Sequence, residues 1–535
     1  MAMAMTGLSA PVKRDGWLIA AVIVLLLGTA CCFRLMRLSS VPGISGDEGF
    51  WGVQALAWLQ GRPYITHTTS GNPIDLVFLI PIAWLHAVWP PSFQLLRAVP
   101  ALANLLALPI GFWFVRRAFD EKTAWIFTVA LACLPTAIAH SRICQDPSQT
   151  VFWAGLVIYC ALVGLAEPDR AWTWLAIALA LFPVALWTHP TNVFIAPFLL
   201  LPAAPLAKRI LPASRGARLA LLVASLAVAV MILAGASFVL NHAGGSEQHL
   251  NKPWLAEAAH RMISPSEWFE LAANTGRLFN GVTIYHYFSG ARPWTVPYDL
   301  AFVIVTVLAI WGMVRRRTAL DRGLLLACGG TWLAFFAFAG PGALRPHFER
   351  WGLCLLVPGT LVLAAGAAAW MESPRTRRPA MAATALVTAS LLVTFYINYF
   401  REFATTGGRS HLTYITAPVE PKAQALQQIL SASPGPADVA VVAQQWWLVW
   451  PMAYLATGHT NVSVTTDLAA AERAPGFAAT VHRGRLFLVE FAGTPELADR
   501  RALVQARGWK STTTMIGDAA GHNLVAVLQV TETTR

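Results

Sequence analysis

Apolar runs of membrane-spanning length dominate the first 400 positions. A helix that crosses a bilayer needs about 20 mostly apolar residues. Runs of that kind lie near 17–33, 93–115, 123–140, 149–166, 171–188, 190–206, 219–240, 298–314, 323–340, 351–371 and 379–400. They predict eleven transmembrane helices, the fifth and sixth being the shortest and most interrupted by proline. The first run reads as a retained helix, because Arg34 and Arg37 follow it and no small-residue cleavage site does. From residue 401 the pattern changes. Short β-like stretches at Val439–Ala443, Val462–Thr465, Leu486–Phe491 and Leu524–Val530 alternate with helix-like ones at Pro421–Ala432 and Pro495–Gly508. The chain is therefore expected to be an α-helical polytopic membrane protein over residues 1–400, with a small C-terminal α/β domain over 401–535.

Composition agrees with the pattern. Hydrophobic residues make up 56% of the chain and charged residues 12%, about half the roughly 25% of ordinary soluble domains. That excludes a disordered chain and argues against a soluble enzyme. The net charge of +12 raises the question of a nucleic-acid partner. With the N-terminus inside, the loops on the cytoplasmic side hold 17 cations and 7 anions, while the outward loops and the tail domain each hold 11 cations and 10 anions. The basic excess is thus a topology signal spread over short loops, as the positive-inside rule describes, and nucleic acid is not an expected partner. All 13 His fall on the outward side, so chemistry is expected there. The seven Cys lie in or beside the spans and suggest no disulfide framework; Cys31–Cys32 reads as core.

Three outward segments gather reactive side chains. After the first span, Asp47 and Glu48 follow Gly46 and open an amphipathic, Trp-rich stretch from Phe50 to Leu59. A carboxylate at a helix start is favoured by the helix dipole, and it can also serve as a general base at a membrane surface. In the turn after residue 140, Arg142 and Asp146 stand four apart before Pro147, where either an interfacial salt bridge or a functional site is expected. Between the ninth and tenth spans, Arg345, His347, Glu349 and Arg350 crowd an otherwise apolar region. They suit either snorkelling to headgroups or a phosphate clamp, since guanidinium binds phosphate bidentately. Weaker candidates are Tyr285 and His286 in the long outward loop 241–297, and His189 at the end of span five. In the tail, Trp446, Trp447 and Trp450 suggest docking or packing, with acceptor contact as the alternative.

A first span, an outward loop with Asp-Glu, and an Arg-x-x-x-Asp turn between spans three and four together resemble the membrane glycosyltransferases of the GT-C superfamily. The resemblance is closest to glycosyltransferase family 39 and the dolichyl-phosphate-mannose-protein mannosyltransferase-like group, which includes the aminoarabinose transferase acting on lipid A. The run 95–119, with Arg97 entering span two, and Glu349-Arg350-Trp351 also match. The likeness covers residues 17–371. It implies Asp47 as catalytic base, Glu48 beside it in the acceptor site, and Asp146 shaping the same cavity; His189, Tyr285 and His286 are added from the residues alone, as sugar or cavity contacts or else as a structural helix end and an interfacial aromatic belt. Arg97, Arg142, Arg345, His347 and Arg350 would then bind the donor phosphate. Members often carry a Lys- or His-Pro-Pro-like step after the first juxtamembrane helix; here Ser70-Gly71-Asn72-Pro73 stands there, so His67, Arg97 or the 345–350 cluster would supply the cation.

The implied reaction is an inverting transfer of a sugar from a polyprenyl-phosphate donor to an envelope acceptor, a lipid, glycan or protein, outside the plasma (inner) membrane. No His-x-x-x-His or Cys-x-x-Cys pattern marks a metal site. Asp47, Glu48 and Asp146 could together hold a divalent cation, so metal assistance stays open. The rival readings are a polytopic lipid or sugar transporter or flippase, which would hold ionisable groups nearer the bilayer midplane, and a non-catalytic receptor.

Overall fold

The computed structural model describes residues 14–67, 74–210, 254–289, 296–406, 419–473, 475–518 and 521–532. Among these, eight helices are long and apolar enough to cross a membrane: Trp17–Leu35, Phe93–Ala118, Asp146–Ala166, Pro168–Thr188, Pro297–Arg316, Ala319–Phe338, Glu349–Trp370 and Pro374–Thr405. The chain is a multi-pass membrane protein. Asp146–Ala166 and Glu349–Trp370 are mostly buried and form the centre of the bundle, whereas Trp17–Leu35, Pro297–Arg316 and Pro374–Thr405 present most of their surface outward.

Of the remaining expected spans, 219–240 lies outside the described residues. Two others are broken, and proline explains both. The run 123–140 divides into helices Glu121–Cys133 and Pro135–His140, with Leu134 extended between them at ψ 119°. Pro135 has no N–H and disfavours helical backbone in the residue before it. The run 190–206 becomes a 3-10 segment, Pro190–Leu199, followed by the helix Leu200–Ile210. Irregular backbone at membrane depth survives only where protein or a cavity covers it, and Pro190–Leu199 packs on the segment Glu349–Leu355 that carries part of the site described below.

We label the first four helices α1 (Arg14–Leu35), α2 (Gly46–Leu59), α3 (Leu76–Val88) and α4 (Phe93–Ala118). The expected outward loop 34–92 thus holds two helices. At 13 residues, α3 is about 20 Å long and too short to span.

The segment between α1 and α2 is irregular, and buried from Val41 to Ser45, so its inward carbonyl oxygens need donors. Two fully buried arginines supply them. Arg142 donates to the carbonyls of Phe33, Met36 and Val41. Arg97 donates to those of Leu38 (2.8 Å), Pro42 (3.0 Å) and Gly43 (2.9 Å). The next carbonyl, Ile44, takes its hydrogen bond from Lys422 Nζ at 3.1 Å, across from the C-terminal region.

Residues 419–532 build a five-stranded mixed sheet, ordered β2-β1-β3-β5-β4. Its strands are β1 (Val439–Val442), β2 (Val462–Thr465), β3 (Leu486–Phe491), β4 (Lys510–Gly517) and β5 (Asn523–Thr531). β1 runs parallel to β2 and β3; β5 runs antiparallel to β3 and β4. Four strands form where alternation predicts them. The fifth, β4, was not expected because it is an exposed polar edge without an apolar face. Its Lys and Thr residues suit an edge that must not recruit another chain.

Candidate active site

Ser45 starts α2 through a capping box: its hydroxyl accepts from the Glu48 N–H, and Glu48 Oε2 accepts from the Ser45 N–H, each at 3.1 Å. The cap fixes the first turn, and with it the directions of two adjacent carboxylates. Glu48 points into the protein and Asp47 points out of it.

Glu48 is completely buried and forms a two-pronged ion pair with Arg97, Nε–Oε1 2.7 Å and Nη2–Oε2 2.8 Å. It also accepts the Cys144 N–H at 2.9 Å. Neither partner faces open space. Arg97 has spent its donors on Glu48 and three carbonyls, and Arg142 is closed in by its own three. These three residues, expected at the acceptor and the donor phosphate, instead form the floor beneath α2.

Asp47 is partly open. Its Oδ1 accepts the Trp446 Nε1–H at 2.8 Å and its Oδ2 accepts the Gln145 Nε2–H at 3.2 Å. Arg350 Nη1 stands 3.8 Å from Oδ2, too far for a direct hydrogen bond, and both side chains of this pair are 31% exposed. Burial raises the Asp47 pKa; the Arg350 charge and the Trp446 hydrogen bond oppose that rise, while Glu48 adds to it.

Arg350 is the common charged neighbour of the open groups. It sits on the 3-10 segment Glu349–Leu355, which packs against both Asp146–Gln149 and Pro190–Leu199. Asp146 has Asp75, Arg350 and Asp47 as its charged neighbours. His189 bonds Thr191 through Nδ1 at 2.6 Å, and burial, reinforced by Arg350 and His140, lowers its pKa to about 3, so the imidazole is neutral. The structure therefore gathers Asp47, Asp146, His189 and Arg350 at the end of the bundle that carries the sheet domain.

The other candidates are elsewhere or otherwise engaged. Tyr285 is buried against Phe395 in the helical core. Arg345 is exposed and bonded to Glu270 at 2.6 Å. His347 adopts the left-handed region at φ 78°, and its N–H donates to the Tyr287 hydroxyl, which donates to Glu349 Oε2 at 2.8 Å. Buried Glu349 also lies 3.7 Å from His140 Nε2. This network fixes the turn that presents Arg350. The exposed His286 ring lies 6.2 Å from that of His347. His67 is exposed and bonded to Thr66, and residues 70–73 are outside the described part of the chain. Among the described residues no group of three or more His, Cys, Asp or Glu is arranged to hold a metal ion.

Four contributors were not singled out in the sequence: Gln145, His140, Lys422 and Asp75. Asp75 caps α3 through Oδ1, while its buried Oδ2 has no hydrogen-bond partner; burial raises its pKa to about 7, against the opposing bonds from Phe78 and Val77. Its signal was present, an Asp directly before an apolar run. An apolar cavity of about 380 Å³ opens elsewhere in the bundle, lined by Trp268, Phe279, Phe302, Trp332 and Val362 among others and by no charged side chain.

No family model matches the chain, and no curated protein matches it by sequence. Solved structures do match. ArnT from Cupriavidus metallidurans in the apo state aligns with a TM-score of 0.55 at 14% identity, over 95% of this chain and 98% of ArnT. ArnT bound to undecaprenyl phosphate gives 0.54 at 13%, over 96% and 98%. The apo oligosaccharyltransferase of Archaeoglobus fulgidus gives 0.52 at 10%, over 96% of this chain and 75% of that one. At such identities the likeness is one of architecture, and it runs through the helical bundle and the sheet domain alike: the chain has the fold of ArnT and the archaeal oligosaccharyltransferase.

Proposed function

We propose that this protein is an inverting glycosyltransferase that takes a sugar from a polyprenyl-phosphate-linked donor. The acceptor is an envelope lipid, glycan or protein outside the plasma (inner) membrane. The N-terminus is then cytoplasmic, and the site and the sheet domain are extracytoplasmic, as the basic loops require. One observation carries the reading: Asp47 and Arg350, each with 31% of its side chain exposed, face one another at 3.8 Å above the buried, fully bonded Glu48–Arg97 pair. A fixed base beside a partly exposed guanidinium suits a reaction that removes one proton and releases one phosphate.

In this mechanism Asp47 takes the proton of the acceptor hydroxyl or amine. The nucleophile attacks the anomeric carbon, and the bond from that carbon to the phosphate oxygen breaks with inversion. Arg350 neutralises the departing polyprenyl phosphate, so no general acid is required. It also supplies the cation that Ser70-Gly71-Asn72-Pro73 lacks. Asp146 and neutral His189 line the acceptor side. The ArnT structure that contains undecaprenyl phosphate supports this choice of donor class, since the two chains share their architecture.

The test is a proteoliposome assay with a panel of undecaprenyl-phosphate-linked sugars and envelope lipid extract, reading release of undecaprenyl phosphate. Asp47→Asn should lower turnover by about 10²–10⁴-fold, the usual contribution of a general base, while undecaprenyl phosphate still binds. Near-normal release by that variant would overturn the reading.

A further inference from the structure

The helix Trp446–Leu455 belongs to the sheet domain, yet it lies directly on α2. Three glycines permit the approach. Gly46, Gly49 and Gly52 follow one another at every third position of α2, and a Cβ on any of them would come within 2.5 Å of Trp446, Trp450 or Tyr454 respectively. Tyr454 extends the contact, bonding His86 Nε2 at 2.8 Å and the Ser92 carbonyl at 3.2 Å. Lys422 ties the same helix to the floor, donating to the Trp447 carbonyl at 2.8 Å and to Ile44.

Two indoles of this helix pack on Phe50, Trp446 at 5.4 Å and Trp450 at 5.1 Å between ring centroids. Their N–H groups differ. Trp450 Nε1 is buried without a partner, whereas Trp446 Nε1 donates to Asp47 Oδ1. We infer that Trp446 is a positioning residue of the transfer reaction: the sheet domain completes the active site by fixing Oδ1 of Asp47, leaving Oδ2 as the oxygen that takes the acceptor proton. The inference rests on the reading of Asp47 as the base. It gives the C-terminal domain a part in the chemistry that neither the sequence nor the fold assigns to it.

A hydrogen bond to the charged form of an acid favours that form. The charged groups facing Asp47 are Arg350 from the Glu349–Leu355 segment, Glu48 on its own helix and Asp146 from the turn beside it. With those unchanged, loss of the indole N–H leaves burial less opposed, and Asp47 protonates at higher pH. Trp446→Phe keeps a ring against Phe50 and removes only the donor. In the proteoliposome assay, with the sugar donor that the panel selects, kcat should fall about 10-fold, as for a hydrogen bond to a charged group. The donor KM should stay within about two-fold, and the acid limb of the pH–rate profile should move up by about one unit. Trp450→Phe, on the same helix face, should leave the acid limb in place.

The inference is overturned if Trp446→Phe leaves kcat and the acid limb as in the wild type. It is also overturned if Trp446→Phe and Trp450→Phe lower kcat equally with no shift, because packing would then be the whole effect. Asp47→Asn in the same assay separates the two levels. An active Asp47→Asn overturns the base itself; an inactive one beside an unaffected Trp446→Phe overturns only the role of the domain.

Discussion

Asp47 and Glu48 leave the same turn of α2 in opposite directions and meet different surroundings. Beneath the helix, Glu48 and Arg97 pair at 2.7 Å with side chains at most 1% exposed, and their remaining bonds go to backbone. Above it, Asp47 and Arg350 stand 3.8 Å apart and each keeps 31% of its side chain open. Each layer is centred on one anion and one cation. In the lower layer the charges are consumed in holding an irregular segment of chain, and a charge so deeply placed is tolerable only when so completely bonded. In the upper layer both side chains stay partly exposed and 3.8 Å apart, which leaves them within reach of a substrate. Exposure, more than residue type or spacing, separates the two pairs.

The largest effect should come from breaking the lower layer. Glu48→Ala strands Arg97 in the interior and removes half of the capping box, for a loss of about 3–5 kcal/mol. Thermal melting in detergent should show a protein that barely folds, while Asp47→Asn, one residue away, melts as the wild type. The double variant Glu48→Ala/Arg97→Met sharpens the point. Replacing a buried ion pair with apolar residues is often harmless, but here the Leu38, Pro42 and Gly43 carbonyls would lose their donor. Recovery of stability in the double variant would show that those backbone bonds contribute little.

Much of the upper layer was legible in the sequence, and little of the lower one. Spans and strands announce themselves through run length and alternation, which are local properties; hence the eight long helices and four of the five strands. Asp47 and Arg350 were visible as ionisable residues at span ends. What separates Asp47 from Glu48 is Arg97, 49 positions away, so adjacency alone made both look like site residues. Arg97 and Arg142 were misplaced for the same reason. The need they meet is a run of unpaired carbonyls, and unpaired carbonyls leave no trace in residue identity. The prolines at 135, 190 and 197 were plain, but a break does not say which way the chain turns. The glycine stripe of α2 was equally plain, while its partner helix lies some 400 residues on.

That stripe yields the second prediction, and its sign runs against expectation. Gly→Ala inside an exposed helix gains up to about 1 kcal/mol. At Gly49 the added methyl would overlap the Trp450 backbone, which cannot swing aside as a side chain can. Gly49→Ala should therefore lift the sheet domain from α2 at a cost of about 1–3 kcal/mol, the range for overpacking. Limited proteolysis should release the sheet domain faster than from the wild type, and release of undecaprenyl phosphate should fall along with docking. Gly61→Ala is a poor control because Gly61 has φ +64°; Gly28→Ala, in α1 with open space around its Cβ position, should leave docking untouched.

The smallest effect tests whether a carboxylate can be buried near the site without a cation of its own. Asp75 keeps Oδ1 for the α3 cap and leaves Oδ2 unbonded, and burial lifts its pKa to about 7. An acid with a raised folded pKa holds more protons folded than unfolded between about pH 4 and pH 7. Stability therefore falls as pH rises through that window. Asn caps a helix as well as Asp does and has no charge to bury. Asp75→Asn should match the wild type near pH 4 and be the more stable of the two above pH 7. Melting temperatures from pH 4 to pH 8 check this, because the wild-type curve should decline relative to the variant across the window. Parallel curves would mean that Asp75 stays ionised throughout, and would bring it into the upper layer as a third open charge beside Asp47 and Asp146.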